Sequence, residues 1–221
     1  MTRRNRSQAI LSARLPGYLV RVNGTIALTY DDGPDPVWTP RILDLLDGAG
    51  ARATFFVDAR RALVQRDLVR TIVARGHEVA FHCFEHIRHS ERDARELYAE
   101  LDLGLGLLDL VGVKPRAWRA PWGVETEVTR DLAGTHDLRL WGWNVDTHDW
   151  RGDSAARMFA ALEAQGGLRD GDVILMHDAL GPGARREDCD ETIALTELLL
   201  DAADRAGLAT ASVSACDRVL A

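Results

Sequence analysis

Short apolar runs alternate with amphipathic stretches along most of the chain. Clusters of β-branched, aliphatic and aromatic residues predict seven strands, at 25–30, 53–57, 78–81, 117–119, 138–145, 172–176 and 209–213. The run at 172–176 is apolar without a break, which is typical of a strand buried on both faces. Strands and helices alternate throughout, so the pattern predicts a parallel α/β fold. A doubly wound sheet and a barrel satisfy this pattern equally well.

Helices are predicted wherever apolar residues recur at helical spacing between these strands. The first spans 39–50 and closes on Gly50, and a second carries one apolar stripe from residue 64 to residue 72. Ser90 and Asp93 resemble a capping box before a longer helix, which Gly104 should weaken. Further helices are predicted at 126–133, after Ser154, and at 190–207.

Composition narrows the classes of protein that the chain can represent. With 221 residues it is expected to form one domain with a substantial core, at 21–221, after an N-terminal extension at 1–20. A net charge of -7 argues against a nucleic-acid partner or an anionic membrane partner. No apolar stretch approaches the roughly 18 residues of a membrane span. Polar residues interrupt the first 20 positions, which is not typical of a secretory signal. The three cysteines show no paired spacing, which fits a reducing compartment, so cytoplasmic residence is expected.

Two adjacent carboxylates, Asp31 and Asp32, follow the first predicted strand and precede Gly33 and Pro34. Neighbouring residues of an extended chain point in opposite directions, so these side chains can take different roles. One could hold a metal ion while the other handles a proton. The alternative is a plain turn in which aspartate caps backbone amides.

Polar clusters follow five different strands, and the carboxyl ends of parallel strands form one face of such folds. The clusters are Asp31-Asp32, His82 with His86, Arg119 to Trp122, Asp146 to Trp150, and His177-Asp178. We therefore expect them to converge on one site.

The two histidines four residues apart would face the same side of a helical turn, within reach of one ion. A carboxylate such as Asp32 would complete three protein ligands and leave positions open, as in catalytic metal sites. Arg119 could hold a carboxylate with its planar guanidinium. A carboxylate near His177 would orient the ring and favour the protonated form that a general acid needs.

These five motifs, in this order, resemble those of the polysaccharide deacetylases, which are carbohydrate esterase family 4 with its NodB homology domain. The resemblance covers about residues 25–215. It rests on Thr29-Tyr30-Asp31-Asp32-Gly33-Pro34, His82 through His86, Arg119-Ala120-Pro121-Trp122, Asp146-Thr147-His148-Asp149-Trp150 and Leu175-Met176-His177-Asp178. It implies a single-domain, distorted (β/α) barrel and metal-dependent removal of N-acetyl groups from amino sugars.

The resemblance also implies a role for each matched residue. Asp31 would be the catalytic base held by Arg119, and His177 the general acid tuned by Asp146. Asp32, His82 and His86 would bind a divalent metal ion, usually Zn²⁺, with Co²⁺ or Ni²⁺ as alternatives. The amide of Trp122 would stabilise the oxyanion, while Trp150 and Leu175 would line the acetyl pocket. This chain departs from the family pattern at Tyr30, where phenylalanine is usual, and at Cys83, where serine or threonine is usual.

The expected substrate is a small, soluble N-acetylated saccharide or metabolite, since the layout is similar to that of chitooligosaccharide deacetylases. Short N-acetylglucosamine oligomers and a glycosylated small molecule both fit this description. Two alternatives stay open: an amide hydrolase that acts on a non-sugar N-acylated metabolite, and an inactive member that only binds saccharide.

Overall fold

The structure is a computed structural model that describes residues 14–15, 18–19 and 24–220. Strands β1 (Arg14–Leu15) and β2 (Tyr18–Leu19) form a separate antiparallel pair. Most of the predicted extension at 1–20 lies outside the described residues, so that domain boundary stays a prediction.

The core of the fold is one sheet of eight parallel strands. In chain order these are β3 (Gly24–Asp31), β4 (Ala53–Asp58), β5 (Glu78–Cys83), β6 (Ala117–Trp118), β7 (Arg139–Leu140), β8 (Val145–Asp146), β9 (Val173–His177) and β10 (Leu208–Thr210). Their order across the sheet is β7-β6-β5-β4-β3-β9-β8, and β10 pairs with the first residues of β3.

The sheet is curled into a barrel that stays open between β7 and β8. These two strands end the path across the sheet, yet only residues 141–144 separate them along the chain. A link of this length reaches at most about 18 Å, so the two ends of the sheet must come close together. This curvature confirms the barrel and excludes the doubly wound sheet.

Side chains alternate between the inside and the outside of the barrel, as the two-residue repeat of a strand requires. On β3, Ile26, Leu28 and Tyr30 pack outward against the helices in the main hydrophobic cluster. Ala27 points inward and belongs to a smaller cluster with Phe56, among others. Burial on both sides explains why these strands contain almost no charge before their carboxyl ends.

Eight helices surround or close the barrel among the described residues, and none of them is long and apolar enough to span a membrane. They are α1 (Trp38–Gly48), α2 (Ala59–Val64), α3 (Arg66–Ala74), α4 (Ala94–Leu110), α5 (Glu127–Thr135), α6 (Ala155–Ala164), α7 (Asp190–Ala206) and α8 (Val213–Leu220). Helix α8 was not predicted. It begins at Val213, whose backbone N–H donates to the Thr54 hydroxyl inside the barrel.

The predicted strand at 138–145 is wrong, because β7 and β8 are separate strands with different neighbours. Strand β7 pairs with β6, whereas β8 pairs with β9. Between them, the carbonyl oxygens of Trp141 and Gly142 accept hydrogen bonds from the guanidinium of Arg119 at 3.3 and 2.9 Å. A buried side chain thus occupies the place where strand pairing would otherwise continue.

The capping box of α4 is formed by Asp93 with Glu96, not by Ser90 with Asp93. Gly104 of the same helix packs on the ring of Phe81, and a Cβ atom there would lie 2.4 Å from that ring. Glycine at position 104 weakens the helix, but it also allows α4 to pack closely on β5.

Candidate active site

A cavity of about 200 Å³ opens at the carboxyl ends of β3, β5, β8 and β9. Nine of the ten predicted site residues line it, and the tenth, Arg119, lies beneath Asp31. The nine are Asp31, Asp32, His82, His86, Trp122, Asp146, Trp150, Leu175 and His177. The structure thus brings together side chains from all five motifs.

Three side chains could hold a metal ion at one wall of this cavity. Ligand atoms of Asp32, His82 and His86 all lie within 4.8 Å of one another, and Oδ1 of Asp32 is 3.5 and 3.4 Å from Nε2 of His82 and of His86. The spacing of the two histidines predicted that both lie on one helical turn, and this prediction is wrong. His82 lies on β5, and the chain bends after Cys83 and brings His86 back toward it.

The surroundings of these residues fit a divalent cation. Nδ1 of His82 is 2.8 Å from the carbonyl oxygen of Arg119, which directs Nε2 toward Asp32. Burial by itself would raise the pKa of Asp32, but the imidazoles of His82, His177 and His86 more than offset this and hold the pKa below its usual range. Two imidazole nitrogens and one carboxylate are typical ligands of a catalytic zinc site, which keeps further positions open.

Asp32 is held in an unusual backbone conformation, with φ at 73°. Left-handed backbone is uncommon for residues other than glycine and is found mostly in aspartate and asparagine. The loop after β9 packs so closely on this carboxylate that a Cβ atom at Gly181 would lie 1.8 Å from Oδ2 of Asp32. The metal-ligand side of the cavity is therefore enclosed by backbone.

Cys83 is not part of this ligand cluster. Its side chain is buried, and burial raises the pKa of its thiol well above the ordinary value. The side chains that lie close enough together to share one ion are Asp32, His82 and His86, and this thiol is not among them.

Asp31 is held by a buried ion pair with Arg119. Nη1 of Arg119 donates to Oδ1 of Asp31 and to the hydroxyl of Thr29, both at 2.8 Å. The guanidinium itself is fully buried, with its carbon atom 4.1 Å from the ring centroid of Phe56. Because charge-assisted hydrogen bonds fix both partners, the free oxygen of Asp31 keeps one orientation toward the cavity.

His177, at the end of β9, is paired with Asp149. Nδ1 of His177 lies 2.7 Å from Oδ1 of Asp149, and Oδ2 of Asp149 accepts the backbone N–H of His177 at 2.9 Å. Burial alone would lower the pKa of His177, but the charge of Asp149 outweighs this effect and raises the pKa to about 9. Burial would raise the pKa of Asp149, yet His177 and Arg186 bring it down to about 2. The pair therefore consists of an imidazolium and a carboxylate near neutral pH.

The prediction that Asp146 pairs with His177 is wrong. Asp146 accepts the backbone N–H of His148 at 2.8 Å, and its Oδ1 lies 2.6 Å from Nδ1 of the same residue. Strand β8 ends at Asp146, and a short 3₁₀ turn then carries Asp149 back against β9. Both carboxylates belong to the same motif, so only the path of this turn decides which of them reaches the histidine.

Two buried residues that the sequence did not indicate support the site. Arg186, in the loop after β9, donates to Oδ2 of Asp149 at 3.0 Å and to the carbonyl oxygen of His177 at 2.9 Å. Glu100 of α4 accepts backbone hydrogen bonds from Phe84 and Glu85, in the bend that carries His86. Neither position shows a pattern in the sequence, since both act on distant segments.

Comparison with known proteins agrees with this geometry. Residues 21–141 match the family profile described as Polysaccharide deacetylase. A chitooligosaccharide deacetylase from Bradyrhizobium sp. (strain ANU 289) is 33% identical over 195 residues, which cover 84% of this chain and 88% of that protein. The peptidoglycan-N-acetylglucosamine deacetylase PgdA of Listeria monocytogenes is 33% identical over 159 residues, covering 72% of this chain but only 33% of that longer protein.

The fold is also similar to that of solved structures. A family 4 carbohydrate esterase from Streptomyces lividans, solved in complex with acetate, superimposes with a TM-score of 0.76 at 28% sequence identity. The match covers 86% of this chain and 92% of that chain. The single-domain barrel is therefore of the NodB type.

Proposed function

The chain belongs to the polysaccharide deacetylase family, and on this premise we propose that it is a metal-dependent hydrolase that removes N-acetyl groups from amino sugars. The observation that carries the proposal is the meeting of Asp32, His82 and His86 with the side chains of Asp31 and His177 in one cavity. A binding protein would not need a buried arginine on one carboxylate and an ion pair that keeps a histidine protonated.

Each side chain has a distinct part in this mechanism. Asp32, His82 and His86 would hold the divalent cation, which would supply Lewis-acid polarisation and lower the pKa of a water molecule that it binds. Asp31, kept in place by Arg119, accepts the proton of the attacking water. The backbone amide of Trp122 donates a hydrogen bond to the oxygen on which negative charge develops.

His177 completes the reaction by giving its proton to the departing amine. The amine cannot leave as an anion, so breakage of the C–N bond requires this proton. The pKa of about 9 keeps His177 charged at neutral pH, and Asp149 stabilises that charge. Leu175 and Trp150 line the space left for the acetyl methyl group.

We further propose that Zn²⁺ is the bound metal ion and that short N-acetylglucosamine oligosaccharides, or a glycosylated small molecule, are the substrates. A cavity of about 200 Å³ is smaller than the roughly 300–1,000 Å³ of common ligand pockets, which favours one sugar unit inside the protein. Cytoplasmic action belongs to the same proposal, and three cysteines that form no disulfide are compatible with it. Cell fractionation with an antibody would test the location.

The test is incubation of the protein with a panel of N-acetylated compounds, with and without chelator, while the loss of acetyl groups is followed by mass spectrometry. The panel contains N-acetylglucosamine oligomers, polymeric chitin, peptidoglycan and N-acetylated amines that are not sugars. We expect metal-dependent deacetylation with the highest kcat/KM on the short oligomers. The Asp31→Asn protein should still hold metal but should not deacetylate any compound. Full activity after complete metal removal would contradict the mechanism, and preference for the insoluble polymers would contradict the substrate assignment.

A further inference from the structure

The entrance to the cavity is bordered by tryptophans that carry arginines on their rings. The guanidinium carbon of Arg88 lies 4.6 Å from the ring centroid of Trp122. On Trp150, the guanidinium carbons of Arg151 and Arg185 lie 5.0 and 5.6 Å from the ring centroid. We call these five residues the rim.

These contacts change what the rim offers to a ligand. Bare indole faces would offer flat apolar surfaces to a sugar ring. Here guanidinium groups lie over the rings, so the rim presents N–H donors with positive charge. Stacking on an indole also restricts an arginine side chain, which lowers the entropic cost of binding a further partner.

Arg151 and Arg185 carry positive charge at exposed positions. Among the described residues, neither guanidinium forms an ion pair with a carboxylate, although the chain contains 34 acidic residues. Two carboxylates near Arg151 in the sequence contact other residues: Asp146 contacts His148, and Asp153 pairs with Arg157 at 2.9 Å. Arg151 and Arg185 are both exposed, so a ligand can reach them.

We propose that this protein acts on N-acetylated saccharides that carry an anionic group, a carboxylate or a phosphate ester, and that Arg151 and Arg185 bind this group. The proposal rests on the proposed deacetylase function. The acetamide occupies the cavity beside Asp31 and His177, while the anionic group lies outside, at Trp150. Guanidinium groups bind the oxygens of both kinds of anion through paired hydrogen bonds. This role accounts for the presence of two arginines on the ring of Trp150.

Matched substrate pairs test this proposal. One pair is N-acetylglucosamine 6-phosphate and N-acetylglucosamine, and the other is the disaccharide of glucuronic acid and N-acetylglucosamine against di-N-acetylchitobiose. We expect kcat/KM to be at least tenfold higher for an anionic member than for its neutral partner, and the pair with the larger ratio distinguishes phosphate from carboxylate. The ratio should fall as salt is added, because ions screen exposed charges.

A double variant, Arg151→Gln with Arg185→Gln, should bring that ratio close to one. Arg157→Gln is the matched control, because this arginine is also exposed but pairs with Asp153, and it should keep the ratio. Calorimetric binding of the same compounds to Asp31→Asn protein provides a readout that does not depend on turnover.

The outcomes separate this inference from the proposed function. Equal kcat/KM within both pairs, or a ratio that survives in the double variant, would overturn the anionic substrate class while leaving deacetylation intact. If the metal-loaded protein removed acetyl groups from none of the four compounds and bound the anionic ones no more tightly, this inference would be refuted, and the wider panel of N-acetylated compounds would test the proposed function separately.

Discussion

The ion pair between His177 and Asp149 leads to a specific prediction about pH. Replacing Asp149 by asparagine keeps the shape of the side chain but removes the charge that favours the imidazolium. The pKa of His177 lies at about 9, compared with an ordinary value of 6.5. This difference corresponds to about 3 kcal/mol of preference for the protonated form. Without Asp149, burial would bring the pKa of His177 to its ordinary value or below.

The sign of the effect on activity follows directly. A general acid must be protonated, so wild-type activity should be retained up to the pKa of His177 and fall above it. At pH 7.5 nearly all of the wild-type histidine is protonated, but only about a tenth would be at a pKa of 6.5. We therefore expect kcat/KM of Asp149→Asn at pH 7.5 to fall at least about tenfold, and up to about ten-thousandfold if proton donation is lost entirely.

The assay is the pH profile of kcat/KM for metal-loaded wild-type and Asp149→Asn protein. The charge of a bound cation lowers the pKa of His177 in both proteins, so the shift between their alkaline limbs is the quantity to compare. Asp146→Asn is the matched control, because Asp146 contacts His148 and should leave the alkaline limb in place. A shifted limb in Asp146→Asn together with an unchanged limb in Asp149→Asn would refute this reasoning.

Stability must be followed in the same experiment. Removing the charge of Asp149 leaves the guanidinium of Arg186 buried without its partner, and breaking such a pair costs about 3–5 kcal/mol. The double variant Asp149→Asn with Arg186→Gln removes both charges. It should show the same shift of the alkaline limb with a smaller loss of thermal stability. The charged pair also stabilises the fold fully below pH 6.5, and this contribution is lost as the pH rises through about 9.

Three further predictions concern the metal ion and its surroundings. Chelation should abolish activity and Zn²⁺ or Co²⁺ should restore it, whereas His82→Ala should show no bound metal by elemental analysis even after loading. Cys83→Ser should keep both metal and activity, and loss of metal in this variant would show that the thiol is a ligand after all. Gly181→Ala should weaken metal binding in calorimetry at least about tenfold, because its Cβ would collide with the Asp32 carboxylate. Gly48→Ala is the control, because no atom lies within 4 Å of the new Cβ. It should instead raise the melting temperature, since alanine favours the helix over glycine by about 0.5–1 kcal/mol. An equal loss of metal affinity in both variants would contradict the packing argument.

Some features of the site could be predicted from the sequence because they depend on local pattern and on a general property of parallel sheets. The strands that lead to Asp31, His82 and His177 lie close to their predicted positions, whereas the strand that ends at Asp146 was predicted as part of one longer strand. Parallel strands end on the same face, so Asp31, His82 and His177 were expected at one face of the fold, and the strand order then brought them together. The distance between Asp31 and Arg119 along the chain did not matter, since both lie at that face.

Other features depended on how the chain turns between the strands. The choice between barrel and open sheet rested on the four residues that link β7 to β8, and no local preference distinguishes the two. Whether Asp146 or Asp149 reached His177 was decided by one 3₁₀ turn, because both carboxylates follow the same strand. Hydrophobic periodicity reports which face of an element is buried. It carries no information about the direction of a loop, and for this reason only the tertiary structure could place Arg186 under the general acid and bring Arg151 and Arg185 together at the rim.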